Sequence, residues 1–319
     1  MNLVFEVNYA VFAIFASLLI TEIMGSVLLL LSWKEARSEV LEYIVPIWEV
    51  TGTFGAFWVV TGDFAYPSLL IPVASIFAPL LTVFLILFVA RNSSIAFGEF
   101  IVKRKWLDES KLYRAYAIST LVLGLTVLVL LSSLVSGAGV DLSKMAFSLG
   151  AWISSPGSLL FVIGTLVIGV GIAPVFYSLS PMKRIVLPVT ASGIALSVLS
   201  YYLYSPSLVS VWMLIPVALT LVAGVLFMSD RTAAIVSNKA IFIAVLGAII
   251  FSLQFLVYPS LAGGGIQVDA VTTSGVMASA YLTITAVGGV ILAIMLGFYM
   301  NVAMRSKSPT KVEIASATA

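Results

Sequence analysis

Apolar runs of helix length alternate with short polar connections along almost the whole chain. A helix needs about 20 apolar residues to cross the hydrocarbon core of a bilayer. Only helices and closed barrels satisfy their backbone hydrogen bonds in lipid, and these runs are too long and too uniformly apolar for barrel strands. The pattern therefore predicts an all-α, polytopic membrane protein with nine spanning helices. We expect these helices at about 8–33, 44–62, 68–90, 114–136, 158–179, 185–204, 209–228, 240–257 and 277–301.

The spans predict a single transmembrane domain over residues 1–305, followed by a polar tail over 306–319. Composition agrees, because 61% of the residues are hydrophobic and only 9% are charged, whereas a soluble domain carries about 25% charged residues. The net charge of +2, with no basic cluster among aromatic residues, does not indicate nucleic acid as a partner. The chain has no cysteine and no histidine. That removes disulfides, thiol chemistry, most zinc and copper sites and the usual axial ligand of haem, so we expect no cofactor in this chain.

Basic residues lie on alternate connections between the predicted spans. Lysine and arginine stay on the cytoplasmic side of membrane proteins. One set of connections, together with the tail, holds fifteen of the sixteen basic residues, and the other set holds only Lys144. The first set comprises Lys34, Arg37, Arg91, Lys103, Arg104, Lys105, Lys111, Arg114, Lys183, Arg184, Arg231, Lys239, Arg305, Lys307 and Lys311. We therefore predict a multi-pass protein of the plasma membrane, with the N-terminus outside and the C-terminus in the cytoplasm.

The connection from Ser94 to Lys111 mixes apolar and basic residues. This mixture predicts an amphipathic helix at the membrane surface, with Lys103 to Lys105 near anionic headgroups and Trp106 at the boundary. A docking surface for a soluble protein is the alternative interpretation.

Two carboxylates, Glu22 and Glu49, lie inside predicted spans. An acid within the bilayer is costly and marks a proton or ion path by default. With the N-terminus outside, Glu22 would lie about 16 Å and Glu49 about 8 Å from the cytoplasmic end of its span, at about 1.5 Å per residue. Both are therefore candidates for a proton path, which would rise as a ladder from the cytoplasm if the polar faces of the two helices meet.

Structural interpretations of the same acids are also open. Each could be a neutral, hydrogen-bonded structural acid. Glu49 could instead be a helix-start residue favoured by the macrodipole. Its neighbour Trp48 is typical of an anchor at the membrane interface.

Three short motifs resemble those of subunit II of cytochrome bd-type ubiquinol oxidases. That family has Pro-x-Trp and an acid at the start of its second helix, and a second proline after a Phe-Ala segment. It then has an arginine before an Ala-Phe-Glu-Phe-like motif, and a proline and an Asp-Ala before its last helix. The matching residues here are Pro46, Trp48, Glu49, Pro67, Arg91, Glu99, Pro259 and Asp269.

This resemblance implies a fold, a partner and an activity. It implies two four-helix bundles with a peripheral helix, and a haem-bearing subunit I as partner that holds haem b and haem d. The complex would oxidise quinol and reduce dioxygen to water, taking its protons from the cytoplasm. This chain would hold no catalytic or metal-binding residue, would contact membrane lipid, and could bind a quinone or a lipid.

Two departures from the family pattern indicate a divergent member, such as an archaeal one. The first helix carries one acid, in Thr21-Glu22-Ile23-Met24-Gly25, where the family has two. Val50-Thr51 stands where the family has Gly-Asn after the acid of the second helix.

Two other functions fit the sequence. One is a proton- or ion-coupled transporter, because Pro174, Pro181 and Pro216 could break helices and Gln254 could line a path. The other is the membrane anchor or quinone-interacting subunit of a different redox complex.

Overall fold

A computed structural model describes residues 2–101, 108–204, 214–229, 232, 235, 238–256 and 258–305. Twelve α-helices and two short antiparallel hairpins are formed by these residues. The helices are α1 Leu3–Leu31, α2 Trp33–Ala65, α3 Leu70–Ile76, α4 Ala78–Phe100, α5 Glu109–Ser136, α6 Leu149–Ile153, α7 Pro156–Phe176, α8 Lys183–Tyr204, α9 Leu214–Met228, α10 Lys239–Ser252, α11 Val268–Val271 and α12 Gly275–Arg305. The hairpins pair β1 Val140–Asp141 with β2 Ala146–Phe147, and β3 Ser260–Leu261 with β4 Ile266–Gln267.

The helices confirm the predicted all-α membrane class. Among the described residues, seven helices are long and apolar enough to cross a membrane, and two shorter apolar helices occupy the seventh and eighth predicted segments. Each predicted run coincides largely with helix, but the third is split at Phe77 into α3 and α4, and the fifth extends three residues past the end of α7. Residues 209–213, residue 257 and the predicted tail over 306–319 lie outside the described residues.

The second helix begins at Trp33, eleven residues earlier than predicted. Its first three turns are polar, but Ala36, Val40 and Tyr43 lie on one buried face. This face packs on the rest of the protein, so the helix extends beyond the apolar run. Glu49 consequently lies sixteen residues after the first residue of α2, and the interpretation of Glu49 as a helix-start residue is wrong.

The prediction of a surface helix beginning at Ser94 is also wrong for the residues that are described. Residues 91–100 continue α4, because Arg91, Ile95 and Gly98 recur at helical spacing and are buried, and α4 packs closely on α5. Residues Lys103 to Trp106 lie outside the described residues. Arg91 therefore belongs to a helix, and its assignment to a cytoplasmic connection is corrected.

Helix α1 is the centre of the structure. It contacts α2, α5, α7, α10 and α12, and about three fifths of its most apolar window is buried (61%). The largest core cluster includes Leu18, Met24 and Leu29 of α1 with Tyr43 of α2 and Phe176 of α7. Close van der Waals packing of this kind associates helices in lipid, where the hydrophobic effect gives no preference for helix contact.

Small residues line the contact between α7 and α8, which is the most extensive helix contact of the described fold. Gly157, Gly164 and Gly171 recur every seventh residue on the face of α7 toward α8. A Cβ placed on Gly193 of α8 would lie 2.6 Å from the backbone nitrogen of Ile168. The backbones therefore approach too closely for any side chain at this position.

We expect Gly193→Ala to destabilise the protein by about 1–3 kcal/mol, because the added methyl group must push two backbones apart. Gly297→Ala is the matched control, since a Cβ at Gly297 would meet nothing within 4 Å and alanine favours helix over glycine by up to about 1 kcal/mol. Thermal denaturation of the purified membrane protein measures both. Equal melting temperatures for the two variants would contradict the close contact.

Two connections pack together at the end of the molecule predicted to face outside. Gly137 ends α5 with a φ of 76°, and a Cβ there would lie 2.9 Å from the carbonyl oxygen of Ala262. Between β1 and β2, the Ser143 hydroxyl and the Lys144 backbone N–H donate to Asp141 and hold the pKa of that carboxyl below its usual range. The two connections thus form one ordered cap.

Candidate functional site

A buried ion pair joins α1 to α4. Glu22 is fully buried and the Arg91 side chain is 2% exposed. An Arg91 guanidinium nitrogen donates to Glu22 Oε2, and the Tyr116 hydroxyl on α5 donates to the same oxygen at 2.8 Å. The acid predicted inside the membrane thus has a cation and a phenol as partners, and the three groups tie three helices together.

The lengths of the three helices bring these groups to a common depth. Glu22 lies nine residues before Leu31, the last residue of α1, and Arg91 lies nine residues before Phe100, the last of α4. Each is therefore about 14 Å from its helix end at about 1.5 Å per residue. Tyr116 lies seven residues after the first residue of α5, or about 11 Å, and α5 runs in the opposite direction. All three ends are on the side predicted to be cytoplasmic.

The guanidinium of Arg91 is further enclosed by aromatic rings and an amide. Its Cζ lies 5.6 Å from the ring centre of Tyr116 and 5.9 Å from that of Phe88. Its other terminal nitrogen donates to the Asn92 side chain at 2.9 Å. A charge taken out of water needs an opposite charge and hydrogen bonds to offset the desolvation cost, and this enclosure supplies them for the two terminal nitrogens of Arg91.

Polar side chains next to Glu22 extend the hydrogen bonding to α2 and α7. The hydroxyls of Thr21 and Tyr43 lie 2.9 Å apart. The Tyr177 hydroxyl donates to the Thr21 carbonyl oxygen at 2.8 Å. Gly25 makes room for the Tyr177 hydroxyl, since a Cβ on residue 25 would lie 2.4 Å from the Tyr177 oxygen.

A second acid–phenol contact lies nearer the cytoplasmic ends of α4 and α5. The Tyr113 hydroxyl donates to Glu99, and the Tyr113 ring packs against Gly98. Glu99 is exposed whereas Tyr113 is buried. This contact connects the surface to a position one turn below Tyr116.

Glu49 lies apart from this cluster. It is exposed on α2, on the face that also exposes Thr53 and Ala56, while Ile47, Val50 and Phe54 are buried. Glu22 and Glu49 therefore do not face each other, and the condition for a ladder between them is not met. The carboxyl group of Glu49 lies on the outer surface of the chain.

The remaining motif residues have structural positions. Pro46 lies inside α2, Trp48 packs partly against the core, and Pro67 is exposed just after the end of α2. Pro259 follows a cis peptide bond. The Asp269 carboxylate accepts the Tyr258 hydroxyl at 2.7 Å and raises the pKa of that phenol.

Comparison with known proteins gives a match in structure and none in sequence. No family model matches the chain, and no curated protein matches it. The structure is similar to a chain of the bd oxidase from Geobacillus thermodenitrificans, with a TM-score of 0.69 and 17% identity, covering 95% of this chain and 98% of that chain. This chain has a bd-oxidase-like fold.

Within the described part of this bd-oxidase-like fold, no group of three or more His, Cys, Asp or Glu side chains could hold a metal ion. The ion pair of Glu22 with Arg91 and the two tyrosine contacts were missed by the sequence analysis. One signal for the ion pair was available. A buried acid requires a compensating group, and Arg91 directly follows an apolar run.

Proposed function

We propose that this chain is the haem-free subunit II of a cytochrome bd-type quinol oxidase of the plasma membrane. The observation that carries the proposal is the structural similarity over 95% of the chain to a chain of a bd oxidase. The absence of histidine supports it, because the usual axial ligand of haem would have to come from another chain. In this role the chain stabilises a haem-bearing subunit I, which holds haem b and haem d.

The surface formed by α2, α4 and α12 is the proposed contact with subunit I. Only 11% of the apolar window of α4 and 17% of that of α12 are buried within the chain. Helix α2 lies between them, since Gly52 is beside Phe88 of α4 and Phe57 is beside Gly288 of α12. A carboxylate that faces lipid inside the bilayer is costly, so the exposed Glu49 favours a protein partner at this surface.

Glu49 gives this surface a proposed role in proton uptake. A carboxylate between two membrane subunits can accept a proton from water on one side and release it on the other. Glu49 would serve protons that enter along the subunit contact, and Glu22 would belong to a separate route through the core of the chain. Both routes open to the cytoplasm under the predicted orientation.

Purification through an affinity tag on this chain tests the assignment. In mild detergent, we expect a larger membrane protein with haem b and haem d spectra and quinol oxidase activity to copurify, while the tagged chain alone shows no haem spectrum. A stable homo-oligomer without haem would contradict the proposal. Copurification with iron–sulfur or molybdenum subunits would favour a membrane anchor, and solute or ion transport by proteoliposomes of this chain alone would favour a transporter.

A further inference from the structure

Four buried polar atoms in and near the Glu22–Arg91 ion pair have no hydrogen-bond partner in the described residues. They are Glu22 Oε1, Ser26 Oγ, Arg91 Nε and Thr120 Oγ1. Each side chain is nearly or fully buried, since Arg91 is 2% exposed and the other three are 0% exposed. Buried polar groups in native proteins almost always have a partner, either protein or ordered water. Four such atoms in and near one ion pair therefore indicate that hydrogen-bond partners are missing there.

The four atoms belong to three neighbouring helices. Ser26 follows Glu22 by one turn on α1, so the two share a face. Thr120 lies beside the Tyr116 hydroxyl on α5 but without the geometry of a hydrogen bond to it, and the Tyr116 hydroxyl donates to Glu22. Arg91 reaches the same carboxylate from α4. We refer to these five residues as the Glu22 cluster.

The chemistry of the four atoms matches a water molecule. Glu22 Oε1 accepts hydrogen bonds, Arg91 Nε donates one, and the two hydroxyls can do either. An internal water typically makes two to four hydrogen bonds to buried polar groups. A metal ion is a poor fit, because the guanidinium would repel it and one carboxylate is the only anionic ligand in the cluster.

We propose that the Glu22 cluster binds internal water. A second step rests on the proposed function: this water completes a proton route from Glu99 through Tyr113 to Glu22. Ser26 lies five residues from the cytoplasmic end of α1, and Tyr113 lies four residues from that of α5, so both are about 6–8 Å deep. Along this route each hydroxyl or water accepts one proton and releases another, and no other bond changes.

Thr120→Val tests the water site through the sign of its effect on stability. If the Thr120 hydroxyl binds water, valine removes a ligand of that water and the melting temperature falls. If the hydroxyl lies in a dry, packed site, valine of equal size removes an unsatisfied polar group and the melting temperature stays constant or rises. The measurement needs only the purified protein, whether alone or in its complex.

Two variants serve as controls for this test. Thr126→Val makes the same substitution on α5 where the hydroxyl donates to the Val122 carbonyl at 2.9 Å, so we expect a smaller decrease in melting temperature than for Thr120→Val. Thr120→Ser keeps the hydroxyl and should recover part of the loss. A Thr120→Val protein at least as stable as wild type would overturn the water site.

The proton route is tested in the assembled oxidase with Tyr113→Phe and Glu99→Gln. We expect each to lower quinol oxidase turnover at least threefold and to increase the solvent isotope effect. Glu109→Gln is the control, because Glu109 is at the same helix ends but forms an exposed ion pair with Arg37. Wild-type rates and isotope effects in both variants would overturn the route. An inactive, haem-free wild-type preparation would instead refute the proposed function, and the water site would still be decided by Thr120→Val.

Discussion

Replacing Arg91 with methionine is expected to destabilise the protein by about 3–5 kcal/mol, because it leaves the carboxylate of Glu22 buried without a compensating charge. Methionine retains much of the apolar volume of the arginine stem, so the expected loss is mainly electrostatic. Glu22→Gln should have a similar effect, since it leaves the Arg91 guanidinium uncompensated. Thermal denaturation and the yield of detergent-extracted protein measure the change.

The double variant Glu22→Gln/Arg91→Met distinguishes the ion pair from two independent packing defects. It removes both charges, so it should recover much of the stability that either single variant loses. Additive losses would contradict a coupled pair. Arg37→Met is a matched control, because Arg37 pairs with Glu109 at 2.6 Å but both side chains are more than 40% exposed. An exposed pair contributes only about 0–1 kcal/mol.

Glu49→Gln is expected to lower quinol oxidase turnover roughly tenfold, equivalent to about 1.4 kcal/mol in the activation barrier. Glutamine keeps the size of the side chain and its ability to hydrogen-bond, but it cannot carry a proton. The complex should still assemble with its haems, because glutamine fills the same space and Glu49 makes no ion pair within the described part of this chain. Turnover and the haem spectrum are therefore measured on the same preparation.

The control for Glu49 lies on the same helix. Glu35 is exposed in the polar first turn of α2, outside the predicted apolar run, and Glu35→Gln should leave turnover unchanged. Wild-type turnover of Glu49→Gln at every pH would exclude a role for this carboxylate in proton uptake.

The apolar runs predicted the class and the order of the helices because lipid requires long apolar segments wherever the chain crosses. The same reasoning fails where a helix continues past the bilayer. Residues 33–43 have the polar composition of a connection, but Val40 and Tyr43 lie on a buried face of α2. A helix can therefore extend beyond the residues of its apolar run.

The candidate site was predicted in part. Glu22 was recognisable because an acid inside an apolar run is costly, but its partner was not. Arg91 follows directly after an apolar run, so the positive-inside rule assigned it to a connection. The exposure of Glu49 also could not be predicted from the sequence. Apolar residues surround it on all faces of the helix, so the sequence does not indicate which side of α2 is buried.

The separation of Glu22 from Arg91 along the chain has a consequence for synthesis. Arg91 is the sixty-ninth residue after Glu22 in the sequence, and Tyr116 is the ninety-fourth. At about 5–20 residues per second, the ribosome needs roughly 3–14 s after making Glu22 before Arg91 is made. During that interval Glu22 has no cation with which to pair. We therefore expect the insertion machinery to retain α1, and to release it into the bilayer only after α4 has been made.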